Sequence, residues 1–334
     1  MNKQYFRTII NIDTNLPSIN YLNKSLFIGS CFTESIGQRF TEYKFHSEIN
    51  PLGVMYNPAS VKNSLEILMS EKQFKQQDLF FYDELWRSYY HDTSFAFPNK
   101  NIALNTINDS IEKSAITLKE ADFLFITLGT AWIYKNKEND IIVSNCHTLP
   151  SQNFERLFLA PDLIIKTYTS LLKNIKEYNK KINIIFTVSP VRHLKDGATA
   201  NQQSKSSLIL AACELTKTFE DVYYFPAYEI MMDELRDYRF YDKDMVHPNE
   251  IATDYIWDRF SDTFFTHETK HLLRQISKII KAIKHRLMHP DTKKHKTFIQ
   301  NTIHQIKEIM ANHPYVDLQQ ELSLLNNKLF NMKT

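Results

Sequence analysis

Glycine and cysteine are both scarce in this chain of 334 residues, which contains 5 Gly and 3 Cys. The cysteines, Cys31, Cys146 and Cys213, are odd in number and far apart. They argue against a disulfide framework and favour a reducing compartment. Neither sign of charge dominates, with 40 Lys+Arg against 38 Asp+Glu. This balance gives no reason to expect nucleic acid or an anionic membrane surface as a partner.

Long hydrophobic runs are also missing, since none approaches the ~18 residues that cross a bilayer. Residues 1–10 lack the apolar core and the small-residue cleavage site of a secretory signal. These absences predict a soluble, cytoplasmic protein without a membrane partner. Hydrophobic residues still make up 43% of the chain. That content supplies a core for one large domain with an appendage, or for two domains.

Apolar runs alternate with helical patterns up to about residue 264. The runs predict strands at 26–28, 123–128, 182–188 and 222–225, and the patterns predict helices around 58–70, 105–120, 155–179 and 201–219. Short apolar runs between polar helices are typical of parallel strands buried on both faces. We therefore expect an α/β domain over residues 1–264, a three-layer doubly wound parallel sheet with its site at the carboxyl ends of the strands. Residues 132–143 are expected to form a hairpin above that sheet.

Strand signals end after about residue 264, and a helical periodicity takes over. Apolar residues recur at helical spacing at Leu272, Ile276, Ile279, Ile280, Ile283 and Leu287, and the same periodicity continues over 298–310. This pattern predicts a helical appendage over residues 265–334 that packs on the α/β domain. A coiled coil that forms a homodimer is the alternative, although the heptads are not sustained.

The segment Gly29-Ser30-Cys31-Phe32 lies where the first predicted strand meets a helix. Such a turn lifts a side chain off the sheet and directs the first helical N–H groups at developing negative charge. Cys31 is the preferred nucleophile because a helix N-terminus lowers a thiol pKa and sulfur is intrinsically the better nucleophile. Ser30 is the alternative. A third reading is that Cys31 is a small buried side chain that fills the turn.

An acid and a histidine stand three residues apart near the end of the α/β region, at Asp244 and His247. A carboxylate at this spacing can orient the imidazole and stabilise the imidazolium. The alternative is an Asp at a helix start followed by a surface His.

Polar residues crowd the stretch after the predicted strand at 182–188. They are Arg192, His193, Lys195 and Asp196, followed by Asn201, Ser204 and Lys205. Charges at the carboxyl end of a strand often face a ligand in this architecture, and Arg and Lys suit a carboxylate or phosphate on a substrate or acyl carrier. A solvated loop is the alternative, with Asn201 as a helix N-cap.

A mixed metal site is a further alternative. Its ligands would come from a set of Cys and His side chains: Cys31, Cys146, His147, His193 and His247. Cys213 lies in an apolar stretch and is predicted to belong to the core.

Five motifs in order carry a family resemblance. They are Gly29-Ser-Cys-Phe32, Thr127-Leu-Gly-Thr-Ala-Trp132, Asn145-Cys-His147, residues 189–197 and Asp244-Met-Val-His247. Together they resemble the bacterial GSCFA-domain family, which looks like a divergent branch of the SGNH, or GDSL, hydrolase superfamily. The resemblance covers residues 22–264 and implies an esterase-like site without a cofactor.

The resemblance also implies an oxyanion hole. Gly53 takes the place of the glycine that supplies an N–H in the superfamily. Ala131 stands where the superfamily has an Asn, so Asn57, Thr130 or Trp132 would have to replace that donor. We expect an acyl-ester hydrolase or O-acyltransferase that acts on a small polar or carbohydrate substrate. A non-catalytic binding protein that keeps the pocket and a metal-dependent hydrolase are the alternatives.

Overall fold

The computed structural model describes residues 7–284 and 292–331, and these residues form two compact units. The first unit comprises residues 7–16, 24–38 and 47–263 of the described chain. The second comprises residues 17–23 and 39–46 with the described residues from 264 onward.

Strands and helices alternate through the first unit, and helices alone follow in the described residues after it. The strands are β1 (Lys24–Gly29), β2 (His46–Ile49), β3 (Phe80–Tyr82), β4 (Leu85–Arg87), β5 (Phe123–Leu128), β6 (Trp132–Asn136), β7 (Ile142–Val143), β8 (Phe154–Phe158), β9 (Asn183–Val188) and β10 (Val222–Tyr224). The helices are α1 (Cys31–Glu42), α2 (Pro58–Met69), α3 (Lys100–Glu120), α4 (Pro161–Tyr178), α5 (Ala198–Thr218), α6 (Ala227–Glu229), α7 (Glu250–Phe264), α8 (His267–Lys284), α9 (Lys293–Asn312) and α10 (Gln319–Asn331).

The main sheet has five strands in the spatial order β2–β1–β5–β9–β10. β1 and β5, β5 and β9, and β9 and β10 pair in parallel. Counted along the chain, this order is 2-1-3-4-5, a doubly wound arrangement whose direction of growth reverses at β1. The predicted α/β sheet flanked by helices is therefore confirmed. In such sheets the ligand crevice lies outside the carboxyl ends of the strands, at this reversal.

The core lies at the centre of this sheet. Leu26, Ile28, Leu124 and Ile126, on β1 and β5, are buried, and so is Phe186 on β9. Parallel strands covered by helices on both faces need apolar side chains at every position, which is why these strands are continuous apolar runs in the sequence. The edge strand β2, by contrast, reads His-Ser-Glu-Ile and carries no such signal.

The hairpin predicted at 132–143 is present as β6 and β7, and a third strand extends it. β8 pairs antiparallel with β6, although residues 155–160 were expected to begin a helix. The helix α4 starts only at Pro161, which is its first residue. Proline is compatible with the first turn of a helix but not with its interior, so the helix cannot begin earlier.

The second unit is helical in its described C-terminal part. The predicted apolar stripe is buried on α8 at Leu272, Ile276, Ile279 and Ile280, while Leu287 lies outside the described residues. Residues 17–23 and 39–46 belong to the same unit, where the rings of Tyr21 and Phe45 stack 4.0 Å apart. A homodimer through these helices stays a prediction. Across residues 7–284 and 292–331, no helix combines the length and apolarity that a membrane span requires.

Candidate functional site

A cavity of about 460 Å³ opens at the carboxyl ends of β1, β5 and β9. Cys31 follows β1, Thr130 follows β5, and His193 follows β9. All three line the cavity, together with His247. Part of the remaining wall comes from β6, β7 and β8, including Trp132. The cavity therefore lies at the reversal point where the sheet topology predicts a ligand.

The turn after β1 depends on glycine at position 29. Gly29 has φ +147°, and a Cβ there would lie 2.2 Å from the carbonyl oxygen of Thr127 on β5. The next residue, Ser30, donates its backbone N–H to that same oxygen at 3.1 Å. Only a residue without a side chain allows the two strands to approach this closely and still start helix α1 at once.

The turn separates the two candidate nucleophiles. Ser30 is 0% exposed, and its hydroxyl has no hydrogen-bond partner among the residues that the structure describes. Cys31 is partly exposed and lines the cavity. Because a nucleophile must reach its substrate, this geometry favours Cys31 over Ser30.

The pKa of the Cys31 thiol differs from the expectation. Burial raises it above its ordinary value, and the charge of Glu34 raises it further. The N–H groups of Phe32 and of Cys31 itself and the Lys205 ammonium act in the opposite direction but do not outweigh burial. The N–H groups at the helix N-terminus do act to lower this pKa, but the expected net lowering is wrong, and the thiol needs a base to remove its proton.

Asp244 and His247 form a dyad. The Nδ1 of His247 lies 2.6 Å from Asp244 Oδ2, and Asp244 Oδ1 accepts the N–H groups of His247 at 3.0 Å and Val246 at 2.9 Å. These hydrogen bonds, first that of the His247 backbone, lower the pKa of Asp244 to about 2. The ionised carboxylate holds the proton on Nδ1, so Nε2 is left to act as a base.

The loop that carries the dyad is tied to the strand end beside it. Arg192, just after β9, donates its backbone N–H to the carbonyl of Val246 at 3.1 Å. The Arg192 guanidinium points elsewhere, with Nη1 3.7 Å from the sulfur of Met232, and Arg192 does not line the cavity. The backbone of Arg192 positions the dyad, whereas the expected role of its charge in holding a ligand is not supported.

Gly53 does not fit the role of an oxyanion donor. It has φ +91°, and its N–H is already donated to the carbonyl of Asn50 at 2.8 Å. It does not line the cavity. A Cβ at this position would collide with the carboxyl group of Asp92 at 2.3 Å. Gly53 is thus required by the turn that leads to α2, and its amide is not available to a substrate.

Asn57 is the better-placed donor. It caps helix α2, with its Oδ1 accepting the N–H of Ser60 at 2.9 Å, and it lines the cavity. Because the oxygen is held by the helix, the amide NH₂ is the group left for a ligand. Thr130 also lines the cavity, but its N–H is donated to Tyr56. Its hydroxyl lies 3.1 Å from that of Ser204.

Asn201, which follows β9, holds the loop rather than a ligand. Asn201 is 2% exposed and accepts the N–H of His193 at 2.9 Å. Gly197, not Asn201, is the N-cap of α5. His193 does line the cavity. Its pKa is lowered to about 4, first by burial and then by the charges of Lys205 and His247, so its imidazole is neutral.

Lys205 is fully buried and does not line the cavity. It is 0% exposed, and its Nζ donates to the carbonyls of Gly129 and Ser189, both at 2.7 Å. Lys205 therefore ties the carboxyl end of β5 to that of β9. Burial lowers its pKa to about 7, while the neighbouring Cys31 acts to raise it. Lys205 was expected to face a substrate, and the structure shows that it does not.

Two family models match the chain. The GSCFA family matches residues 24–260, and the C-terminal domain of GSCFA domain proteins matches residues 276–330. The chain belongs to the GSCFA family. Among solved structures, the chain is similar to an acetyl xylan esterase (Est2A) from the rumen bacterium Butyrivibrio proteoclasticus, with 11% identity and a TM-score of 0.34. That match covers 72% of this chain and 63% of the esterase chain. Comparison with curated proteins finds no match.

The metal alternative finds no ligand set among the described residues of this GSCFA chain. Within the two described stretches, no three His, Cys, Asp or Glu side chains are grouped so that they could hold a metal ion. His147 is buried, with Nε2 2.8 Å from the carbonyl of Ser88, although Cys146 lines the cavity. Cys213, predicted to be core, is only partly buried on α5.

The GSCFA site contains residues that the sequence did not single out. They are Tyr56 and Arg156, which line the cavity together with Asn145 and Lys195 from two of the sequence motifs. Arg156 was missed because its segment was interpreted as the start of a helix. The proline at 161 was the available signal, since it marks where the helix begins. Tyr56 directly precedes the Asn57 cap, and its ring meets that of His193 edge to face at 5.7 Å.

Proposed function

We propose that this GSCFA-family chain is an acyl-transfer enzyme, an ester hydrolase or O-acyltransferase, that uses the Cys31 thiol as its nucleophile. One observation carries the proposal: Cys31, at the N-terminus of α1, shares a cavity with His247, whose Nδ1 is held by Asp244 at 2.6 Å. A nucleophile, a base and a carboxylate that orients the base are the parts that covalent acyl transfer requires.

In the first half of the reaction the thiol attacks the carbonyl carbon of the ester. Because burial raises the Cys31 pKa, its proton passes to Nε2 of His247 as the carbon–sulfur bond forms. The N–H groups at the start of α1 and the amide of Asn57 stabilise the oxyanion. The carbon–oxygen bond then breaks, and the alcohol leaves with the proton from His247.

In the second half, water or an acceptor hydroxyl gives its proton to His247 and attacks the thioester. The carbon–sulfur bond breaks, and the proton returns to the sulfur of Cys31. The cavity volume of about 460 Å³ suits a small polar molecule or a sugar unit, because small-molecule sites range over about 300–1,000 Å³.

A binding protein without turnover is the second candidate. Ala131 is buried where an oxyanion Asn is expected, and its N–H is donated to the Ser204 hydroxyl at 2.7 Å. The loss of one oxyanion donor costs about 3–4 kcal/mol of transition-state stabilisation. This observation favours slow chemistry or none.

The test combines labelling with turnover. A chloroacetamide probe and a fluorophosphonate probe are applied in parallel, and hydrolysis of p-nitrophenyl acetate is followed in the same variants. We expect Cys31→Ala to lose chloroacetamide labelling at that position and all turnover. Cys146→Ala, the matched thiol in the same cavity, should keep both. Asp244→Asn should lower turnover by about 10²–10⁴-fold.

His247→Ala should act as one unit with Cys31→Ala, so the double variant should be little worse than either single variant. Fluorophosphonate labelling of Ser30, with turnover retained in Cys31→Ala, would overturn the assignment of the nucleophile. No turnover with a reactive Cys31 would favour the binding protein.

A further inference from the structure

Two of the expected oxyanion donors are not available in this site. The Gly53 N–H is donated to the carbonyl of Asn50 at 2.8 Å, and Ala131, where an Asn is expected, has no side-chain donor. The amide of Asn57 can replace one of them. The loss of even one donor slows acyl transfer by about 10²–10³-fold, so efficient turnover requires a further donor.

Thr130 and Trp132, the other replacements that the sequence suggests, have groups that are engaged or enclosed. The Thr130 hydroxyl lies 3.1 Å from that of Ser204 and accepts the N–H of Trp132 at 3.2 Å. The indole N–H of Trp132 is buried, although the residue lines the cavity. Both groups are therefore poorer donors to a substrate than a hydroxyl without a partner.

Tyr56 brings such a hydroxyl to the cavity. Its side chain is half-buried and lines the cavity together with Cys31, Asn57 and His247. Within the part of the chain that the structure describes, the phenol has no hydrogen-bond partner. A phenol O–H is a donor, so this group is left for a ligand.

The backbone of Tyr56 is fixed to the strand ends that carry the site. The N–H of the preceding residue is donated to the carbonyl of Gly29, at the end of β1, at 2.9 Å. The Tyr56 carbonyl accepts the N–H groups of Gly129 at 2.7 Å and Thr130 at 2.8 Å, just after β5. Its ring meets that of His193 edge to face at 5.7 Å. These contacts hold the side chain in place before a substrate binds, as a preorganised oxyanion donor requires.

The phenol lies within electrostatic reach of the nucleophile and stays protonated. Burial raises the pKa of Tyr56 above its ordinary value, and the charge of Cys31 raises it further, ahead of the charges of Asp92 and Glu34. A neutral phenol donates a hydrogen bond throughout the pH range in which a thiol nucleophile works. Charge that forms on a substrate oxygen strengthens that bond, because hydrogen bonds to an ionised acceptor are stronger than neutral ones.

We propose that the Tyr56 hydroxyl is an oxyanion donor, hydrogen-bonded to the carbonyl oxygen of the substrate as the Cys31 thiol adds to its carbon. The inference rests on the proposed function, because it adds a catalytic residue to the same reaction. Tyr56 keeps its proton throughout. The carbonyl oxygen becomes an anion as the carbon–sulfur bond forms, and the carbonyl is restored when the bond to the leaving alcohol breaks. Tyr56 and Asn57, adjacent in the chain, thus supply the two donors that Gly53 and Ala131 do not.

Turnover of two esters tests this role. Tyr56→Phe removes the hydroxyl and keeps the ring beside His193. With p-nitrophenyl acetate we expect kcat to fall by about 10²–10³-fold, while KM changes by less than about threefold, since the bond strengthens in the transition state. Ethyl acetate, whose alkoxide leaves with a proton, should show the same fall. A loss confined to ethyl acetate would assign Tyr56 to protonation of the leaving group and overturn the proposal.

Two controls separate this role from a structural one. Tyr134 is a second phenol that lines the cavity, on β6, and Tyr134→Phe should keep kcat within about twofold of the native value. Alkylation of Cys31 by iodoacetamide forms no oxyanion, so its rate in Tyr56→Phe should also stay within about twofold of the native rate. A parallel fall in alkylation would show that the variant disturbs the thiol itself and would refute the oxyanion role.

A stable adduct separates this inference from the assignment of the nucleophile. A thiol adds to trifluoroacetone to give a hemithioketal whose hydroxyl ionises to an oxyanion, and fluorine NMR follows both the adduct and the pKa of that hydroxyl. Cys31→Ala identifies the signal of the Cys31 adduct. We expect the adduct in the native protein and in Tyr56→Phe, with the hydroxyl pKa higher in the variant by about 1 or more.

The outcomes of the adduct experiment are distinct. An equal hydroxyl pKa in the native protein and in Tyr56→Phe would refute Tyr56 as an oxyanion donor and leave the Cys31 nucleophile intact. If the native protein forms no adduct at Cys31 and shows no turnover, the proposed function fails and the role of Tyr56 fails with it.

Discussion

Replacement of Lys205 by methionine should change how the stability of the protein depends on pH. The Lys205 ammonium is completely buried, and burial lowers its pKa from 10.5 to about 7. In the unfolded chain the same amine keeps its ordinary pKa. Between these two values the unfolded state binds one more proton than the folded state, so the free energy of unfolding rises with pH.

The size of the effect follows from the two pKa values. Their difference of roughly 3.5 pH units corresponds to about 5 kcal/mol at about 1.4 kcal/mol per unit. Below pH 7 the whole cost of burying the charge is present, and it disappears as the pH approaches 10.5. Between pH 6.5 and 9 the native protein should gain about 2–3 kcal/mol relative to Lys205→Met.

The difference in the free energy of unfolding between the native protein and Lys205→Met also has a part that does not change with pH. Methionine leaves the carbonyls of Gly129 and Ser189 without their donor, which costs about 1–3 kcal/mol for each buried acceptor. The offset does not depend on pH, so the slope of the difference is the quantity to measure. Urea unfolding of both proteins at pH 6.5, 7.5 and 9 provides it.

A second measurement separates an electrostatic role from a purely structural one. The Lys205 charge favours the Cys31 thiolate, so Lys205→Met should move the midpoint of Cys31 alkylation to higher pH. The same unfolding series in Cys31→Ala removes the coupling between the two groups. The two proteins differ in their free energy of unfolding, and this difference is followed from pH 6.5 to 9. If it stays constant within about 0.5 kcal/mol, Lys205 is not a buried ammonium with a lowered pKa.

Three further predictions concern the turn after β1. In urea unfolding, Gly29→Ala should lose about 2 kcal/mol or more of stability beyond the loss in Gly197→Ala. Both glycines have positive φ, but a Cβ at Gly29 lies 2.2 Å from Thr127, whereas a Cβ at Gly197 has no atom within 4 Å. Equal losses in the two variants would contradict the close approach of the strands. Ser30→Ala should leave the melting temperature unchanged or raise it, since it removes a buried hydroxyl without a partner among the described residues, and a loss above about 2 kcal/mol would reveal a missing partner. The pH midpoint of Cys31 alkylation should lie higher in the folded protein than in urea-unfolded protein, because burial raises the pKa of the thiol. A lower pH midpoint in the folded protein would instead support a thiolate that the helix N-terminus stabilises.

Local sequence patterns were enough to predict the strands and the turn that position the nucleophile. β1, β5 and β9 are continuous apolar runs because both faces of the sheet are covered. The spacing of Asp244 and His247 lets one carboxylate bond the imidazole and the backbone of the same turn. Both features depend on residues that are close together in the chain, which is why the sequence predicts them.

Whether a polar group can contact a ligand depended on contacts between residues that are far apart in the sequence. Lys205 looks like a ligand-facing cation in the sequence, yet it bonds Gly129, 76 residues away, and is buried. Gly53 suits an oxyanion donor by its position, but the fold directs its N–H to Asn50.

The sequence alone therefore determined the doubly wound sheet, the place of Cys31 after its first strand and the local Asp244–His247 pair. Only the tertiary structure decided which N–H groups are already used, which lysine is buried, and that Arg156 lines the cavity. The physical reason is that hydrophobic period and turn chemistry are local properties of a chain. Burial and hydrogen-bond satisfaction, in contrast, are set by segments that meet only after folding.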